Sequence, residues 1–124
     1  MTRKILIIED DDSILDVLRI ILNNAGYKTI LYSDGKDVMN GHFENPDLFL
    51  LDKQLSGVDG IDICKHLKEN PRTKDIPVIM VSANPHISTL SFEAGADDYI
   101  EKPFTIELLL RKVRKQINNH SYTS

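Results

Sequence analysis

Asp47-Leu48-Phe49-Leu50-Leu51-Asp52 is the stretch on which the reading of this chain turns. A short apolar run bounded by polar turn residues reads as a buried strand of a parallel sheet. Other runs share its form. Ile5-Leu6-Ile7-Ile8 enters Glu9-Asp10-Asp11-Asp12, Val78-Ile79-Met80-Val81 enters Ser82, and Tyr99-Ile100 leads to Lys102-Pro103. In an open parallel sheet, ligands lie beyond the carboxyl ends of the strands. These acids, a lone aspartate, a hydroxyl and an amine are therefore expected on one edge. That set suits a divalent cation together with an aspartate that carries a phosphoryl group.

Helical patterns fill the intervals. Ile14, Leu15, Val17, Leu18, Ile21 and Leu22 recur at helical spacing over 13–25, with Ser13 as the expected cap and Gly26 as the stop. Lys28 to Tyr32 reads as a strand, and a short helix is expected near 36–40. Gly57 and Gly60 frame a loop, from which a helix runs over 60–69 until Asn70-Pro71 ends it. A weak helical segment lies between Pro85 and Ala94. The last helix starts near Thr105 and buries Leu108, Leu109, Val113 and Ile117. Its basic stripe, Arg111, Lys112, Arg114 and Lys115, is expected to be a solvated face. Alternating strands and helices imply an α/β fold, doubly wound, with parallel strands and helices on both faces.

The 124 residues suit one domain spanning 1–124, with a polar, frayed tail over 119–124. A net charge of −4 and no basic run argue against direct binding to nucleic acid. No apolar stretch approaches the roughly 20 residues that cross a bilayer. Residues 1–5 enter a strand directly and do not resemble a signal peptide. The expected compartment is the cytoplasm. Cys64 is the only cysteine, so no internal disulfide can form, and a small apolar role facing the core is expected for it.

Each candidate has an ordinary alternative. Helix N-terminal charge accounts for Asp11 and Asp12. It accounts poorly for Glu9, which directly follows a buried strand. Two carboxylates about 4 Å apart repel by roughly 4 kcal/mol at an effective dielectric near 20, and a hard cation removes that repulsion. Glu9 and Asp10 are thus metal candidates. Asp52 is a candidate nucleophile, Ser82 a hydroxyl with room beside it at Ala83, and Lys102 a point cation for phosphate oxygens. Singly these are weak signals. Their shared position at strand ends makes them a set.

These residues resemble the receiver domain of bacterial two-component response regulators, the CheY-like family. The likeness covers nearly the whole chain. It rests on Ile7-Ile8-Glu9-Asp10-Asp11, on Asp47 to Asp52 with Gly57 and Asp59-Gly60, on Ser82-Ala83, and on Gly95 to Phe104. The resemblance implies a five-stranded flavodoxin-like (βα)5 sheet of order 2-1-3-4-5, which is this family's fold. It implies Asp52 as the phosphoacceptor, with Ser82 and Lys102 on the phosphoryl oxygens. Mg²⁺, with Mn²⁺ as a substitute, would be bound by Asp10, Asp52 and the backbone carbonyl of Gln54, with Glu9 acting through water. It also implies a cis Lys102–Pro103 bond and a switch in which Ser82 moves and Tyr99 rotates inward.

The implied partners are a histidine kinase or histidine phosphotransfer protein, which donates the phosphoryl group, and a downstream target or an output domain absent from this chain. A dimer formed on phosphorylation is a further implied partner state, and no membrane partner is expected. The implied activity is autophosphorylation and slow autodephosphorylation, not catalysis on a separate small substrate. Two departures stand out. The segment from Ser82 to Gly95 is shorter than is usual and contains Pro85, so helix 4 should be short or irregular. Ser56 stands where the family commonly has proline, so that loop should be less rigid.

Rival readings fit less well. A phosphatase of the haloacid dehalogenase type needs a second acid two residues after the nucleophile, where this chain has Gln54. A flavodoxin needs a phosphate-cradling loop where this chain has Glu9-Asp10-Asp11-Asp12. A phosphate-independent interaction module would not need the full set of site groups.

Overall fold

The structure is a computed structural model and describes residues 2–121. Strands and helices alternate throughout: β1 (Lys4–Ile8), α1 (Asp12–Asn24), β2 (Lys28–Tyr32), α2 (Lys36–Met39), β3 (Leu48–Asp52), α3 (Gly60–Glu69), β4 (Val78–Ser82), α4 (Ile87–Ala94), β5 (Asp98–Glu101) and α5 (Ile106–Ser121). The five strands form one sheet in the order β2-β1-β3-β4-β5, and every pairing is parallel. The expected fold class and strand order are those found.

Side chains alternate across each strand, so the sheet divides the core in two. Leu6, Ile8, Phe49, Leu51, Val78 and Met80 face α2, α3 and α4. Ile5, Ile7, Leu48, Leu50, Ile79 and Val81 face α1 and α5. All five residues of β3 and of β4 are buried, as expected of strands covered on both sides. Phe49 is fully buried and meets Phe43 edge-on, with ring centroids 5.8 Å apart. Cys64 is also fully buried, and its burial pushes the thiol pKa up to about 11, in keeping with a packing role.

Several local expectations are corrected. Asp11, not Ser13, caps α1: its Oδ1 accepts from the N–H groups of Ser13 (2.9 Å) and Ile14 (3.2 Å). The helix therefore begins at Asp12, one residue before the expected start. α5 is helical through Ser121, so it takes in the start of the expected tail. The rest of the expected tail, 122–124, lies outside the described residues. Lys112 is half-buried, not part of a solvated stripe; its Nζ binds Asp98 Oδ1 (3.0 Å) and the Tyr99 carbonyl (2.6 Å).

α4 is short, as expected, at eight residues. It starts after Asn84, whose Oδ1 accepts from the His86 N–H at 2.8 Å. It stops at Gly95, whose φ of 82° lies in the left-handed region that favours glycine. Phe92 on α4 is 84% exposed, so this helix leaves an aromatic ring in solvent.

Candidate functional site

Register brings the strand ends together. Ile8 of β1 pairs with Leu51 of β3, Asp52 of β3 with Val81 of β4, and Ser82 of β4 with Glu101 of β5. The ladder extends past the strands: Lys53 N–H donates to the Val81 carbonyl at 3.0 Å, and Lys102 N–H to the Ser82 carbonyl at 2.8 Å. Glu9, Asp52, Ser82 and Lys102 therefore share one edge of the sheet.

Lys102 joins the acids. Its Nζ lies 2.8 Å from Asp52 Oδ2 and 3.4 Å from Glu9 Oε1. Asp52 is only 5% exposed and Glu9 only 3%. The other oxygen of Asp52, Oδ1, accepts from the Gln54 N–H at 2.8 Å, so the Gln54 peptide lies against the carboxylate. Glu9 Oε2 accepts from the Asp11 N–H at 3.2 Å. The Lys102–Pro103 bond is cis.

The electrostatics are those of crowded acids beside one cation. Burial raises the Glu9 pKa to about 7, helped by a hydrogen bond to Asp52 and by the Asp52 charge; the Asp11 N–H and Lys102 oppose the rise. Burial alone would lower the Lys102 pKa, but the hydrogen bond and charge of Asp52, with Glu9, outweigh it and hold the ammonium above the ordinary lysine value. Lys102 is thus a fixed cation at neutral pH, while Glu9 keeps part of its proton.

The other expected residues sit around this centre. Ser82 is fully buried, and its Oγ accepts from the Asn84 N–H at 3.0 Å. Asp10 is exposed and turned to Ser56, whose N–H (3.1 Å) and Oγ (3.0 Å) both donate to Oδ2. The loop after Asp52, expected to be less rigid without a proline, carries that pair of bonds, of which the backbone one requires a non-proline residue. Tyr99 lies half-buried on β5 with its ring against the α3–α4 side of the core.

Two supports escaped the sequence reading. Lys53 Nζ is 3.0 Å from Asp59 Oδ2, and Asp59 Oδ1 caps α3 through the Ile61 N–H at 2.8 Å. That pairing turns the lysine next to Asp52 away from the acids. Gly60 donates its N–H to the Lys53 carbonyl at 2.9 Å, and a Cβ there would strike the Asp52 carbonyl oxygen. The Asp59-Gly60 pair was visible, but the contact it serves is tertiary.

Among the described residues, no three His, Cys, Asp or Glu side chains stand close enough to form a metal-holding group. A magnesium ion does not need one, since it commonly takes one or two carboxylates and keeps several waters. The donors here are all oxygen. Glu9 and Asp52 both contact the single ammonium of Lys102, so two carboxylates share one cation. The residues present therefore fit a hard divalent cation.

An open apolar groove of about 660 Å³ begins at Lys102 and Ala83 and runs between α1 and the start of α5. Ile14, Val17, Ile21, Phe104 and Ile106 line it, and Val17 and Ile106 are each more than half exposed. Among the described residues, no helix is long and apolar enough to cross a membrane.

Comparison with known proteins agrees with this geometry. A family model of the response regulator receiver domain matches residues 5–114. The DNA-binding dual master transcriptional regulator RpaA of Synechocystis sp. is 43% identical over 114 residues, which are 90% of this chain and 47% of RpaA. The chain thus spans about half the length of the curated relatives it matches. The crystal structure of a CheY-like receiver domain protein from Methanospirillum hungatei JF-1 superposes with a TM-score of 0.87 at 28% identity, covering 100% of both chains. The receiver domain of the sensor histidine kinase PA1611 from Pseudomonas aeruginosa PAO1, solved with a magnesium ion coordinated in its active site cleft, gives 0.86 at 26% identity, covering 95% of this chain and 99% of its own. The chain belongs to the response regulator receiver domain family, the phosphoacceptor switches of two-component signalling.

Proposed function

We propose that Asp52 is the residue that accepts the phosphoryl group, with Ser82 and Lys102 as its partners on the phosphoryl oxygens. The observation that carries this reading is the Lys102–Asp52 contact of 2.8 Å between residues 50 apart in sequence. A cation fixed beside a buried carboxylate stabilises charge that moves onto the oxygens of a transferring phosphoryl group.

An Asp52 oxygen attacks the phosphorus of a phosphohistidine on a donor protein. The P–O bond forms as the P–N bond breaks, and the bonding pair returns to the imidazole nitrogen. Lys102 then exchanges the Asp52 carboxylate for a phosphoryl oxygen. Ser82 Oγ leaves the Asn84 N–H and donates to another, and Tyr99 rotates inward behind it. Slow attack of water on phosphorus reverses the modification, releasing inorganic phosphate and the Asp52 carboxylate. Asp10, Asp52 and the Gln54 carbonyl would hold Mg²⁺, or Mn²⁺ in its place, with Glu9 acting through water. The bound cation supplies charge neutralisation between the acids and the phosphoryl oxygens.

The donor is a histidine kinase or a histidine phosphotransfer protein. The phosphorylated form acts on a downstream target or an output domain, or as a dimer, in the cytoplasm. The test is intact-mass spectrometry after incubation with acetyl phosphate, with and without Mg²⁺, beside Asp52→Asn. One Mg²⁺-dependent phosphoryl adduct, absent from Asp52→Asn, is expected. An adduct that persists in Asp52→Asn would move the acceptor elsewhere.

A further inference from the structure

Tyr99 and Lys112 belong to opposite sides of the sheet. The Tyr99 ring packs with the cluster beneath α3 and α4, whereas α5 packs with the other cluster through Leu109, Val113 and Ile117. They meet because β5 is an edge strand, around which a long side chain can reach. Lys112 Nζ stands 4.6 Å from the centroid of the Tyr99 ring. It also donates to the Tyr99 carbonyl at 2.6 Å and to Asp98 Oδ1 at 3.0 Å. That Asp98 oxygen accepts the N–H of Tyr99 at 2.8 Å. One ammonium therefore grips residue 99 at its carbonyl, at its N–H through Asp98, and at its ring.

We propose that Lys112 is a positioning residue of the switch, whose ammonium holds the Tyr99 ring where it now lies and opposes its inward rotation. The inference rests on the reading of Tyr99 as the rotating residue. Only contacts that differ between two states can bias the equilibrium between them. The bonds of Lys112 to the Tyr99 carbonyl and to Asp98 involve backbone and a neighbour, and they survive rotation of the ring about its own side-chain bonds. The cation–π contact does not. It is the one of the three that favours the present position of the ring, because the attraction is to the face of the aromatic system. Lys112 thereby links α5 on one face of the sheet to a switch element on the other.

A neutral residue of similar length removes the charge and keeps the stem. Lys112→Met is expected to fold, since Leu109, Val113 and Ile117 stay in place and Gln116 Nε2 still donates to the Asp97 carbonyl at 3.4 Å. Losing an exposed-to-half-buried cation–π contact is expected to tighten binding of a phosphoryl mimic by about two- to fivefold. Lys112→Arg keeps the cation and is expected to behave as wild type.

The experiment titrates beryllofluoride with Mg²⁺ into 3-fluorotyrosine-labelled protein and follows the Tyr99 resonance by ¹⁹F NMR, assigned with Tyr99→Phe. The expected result has two parts. In wild type the Tyr99 signal moves on saturation. In Lys112→Met it lies partway to that position before any beryllofluoride is added, and half-saturation comes at the lower concentration. Lys112→Gln provides a second neutral variant if Lys112→Met does not fold. In a Tyr99→Leu background, which has no ring, the Lys112 substitution is expected to leave affinity unchanged. If the wild-type Tyr99 signal does not move, the reading of Tyr99 fails and the proposal falls with it. If it moves but the neutral variants leave signal and affinity unchanged, or the effect survives in Tyr99→Leu, the Tyr99 reading stands and the role of Lys112 is overturned.

Discussion

The α-carbon of Gly60 lies against the carbonyl oxygen of Asp52, with no space between them for a side chain. The same glycine would bring a Cβ to 2.8 Å from Lys53 Cα, another backbone atom that cannot swing aside. The start of α3 is thus pressed onto the end of β3, and the candidate nucleophile is held from behind. Gly60→Ala is expected to destabilise the fold by about 2 kcal/mol, the range for overpacking a filled site. Urea denaturation measures that loss. A slower rise of the phosphoryl adduct with acetyl phosphate would show that the displaced backbone carries Asp52 with it.

Glu9 makes stability depend on pH in an unusual direction for a carboxylate. Its folded pKa of about 7 lies above the unbound value of 4.5. Below 4.5 the group is protonated in both folded and unfolded chains and contributes nothing. Between these values the unfolded chain releases a proton that the folded one retains, so stability falls as pH rises and reaches its full loss above about 7. The loss is about 3 kcal/mol at most. Without divalent cations, wild type is expected to lose stability from pH 5 to pH 8 relative to Glu9→Gln, with Mg²⁺ reducing the difference. Parallel pH profiles for the two proteins would remove Glu9 as the cause.

Ser56 gives Asp10 two hydrogen bonds to a single oxygen, leaving Oδ1 for a cation. Partners that orient a ligating carboxylate commonly matter tenfold or more in metal affinity. Ser56→Ala, which keeps the N–H, is expected to weaken Mg²⁺ binding about threefold, and Ser56→Pro, which loses both donors, about tenfold. Asp10→Ala is expected to lose more than either. Calorimetric titration with MgCl₂ measures all three. Tighter binding in Ser56→Pro would mean that Ser56 competes with the cation for Asp10.

Lys102→Ala removes the cation from between Asp52 and Glu9. Because Lys102 opposes the rise of the Glu9 pKa, that pKa is expected to climb further, as read from the ¹³C shift of the labelled carboxyl group. The phosphoryl adduct is expected to form on acetyl phosphate more slowly than in wild type, while the amide shifts of Ser82 to Asn84 stay near their unmodified positions. A full set of phosphorylation-induced shifts in Lys102→Ala would release Lys102 from any part in switching.

Strand content and site content were legible together, because Asp52, Ser82 and Lys102 each follow an apolar run that ends abruptly. Buried parallel strands end where polar residues emerge, and the sheet collects those residues on one edge, so what is weak singly becomes a set. The cap of α1 was less legible. Asp11 and Ser13 are both competent, and only the position of the first turn chooses Asp11. Lys112 was misread because a helical wheel describes one helix, and nothing in it shows that an edge strand lies within reach. The Ser56–Asp10 bonds join residues 46 apart, and the Gly60–Asp52 contact depends on how two elements pack. Neither leaves a local periodic signal.

The strand order also fixes a scale. Neighbouring strands lie about 4.8 Å apart. Ser82 is one strand from Asp52 and has a short side chain, whereas Lys102 follows β5, two strands away, and has a long one. Side-chain reach grows with distance from the candidate acceptor, so side-chain length compensates for strand position. Exchanging the two residues would keep the composition of the edge and lose its fit: a lysine at 82 would overrun Asp52, and a serine at 102 would fall short. Strand order thus decides which side-chain length can serve each strand end.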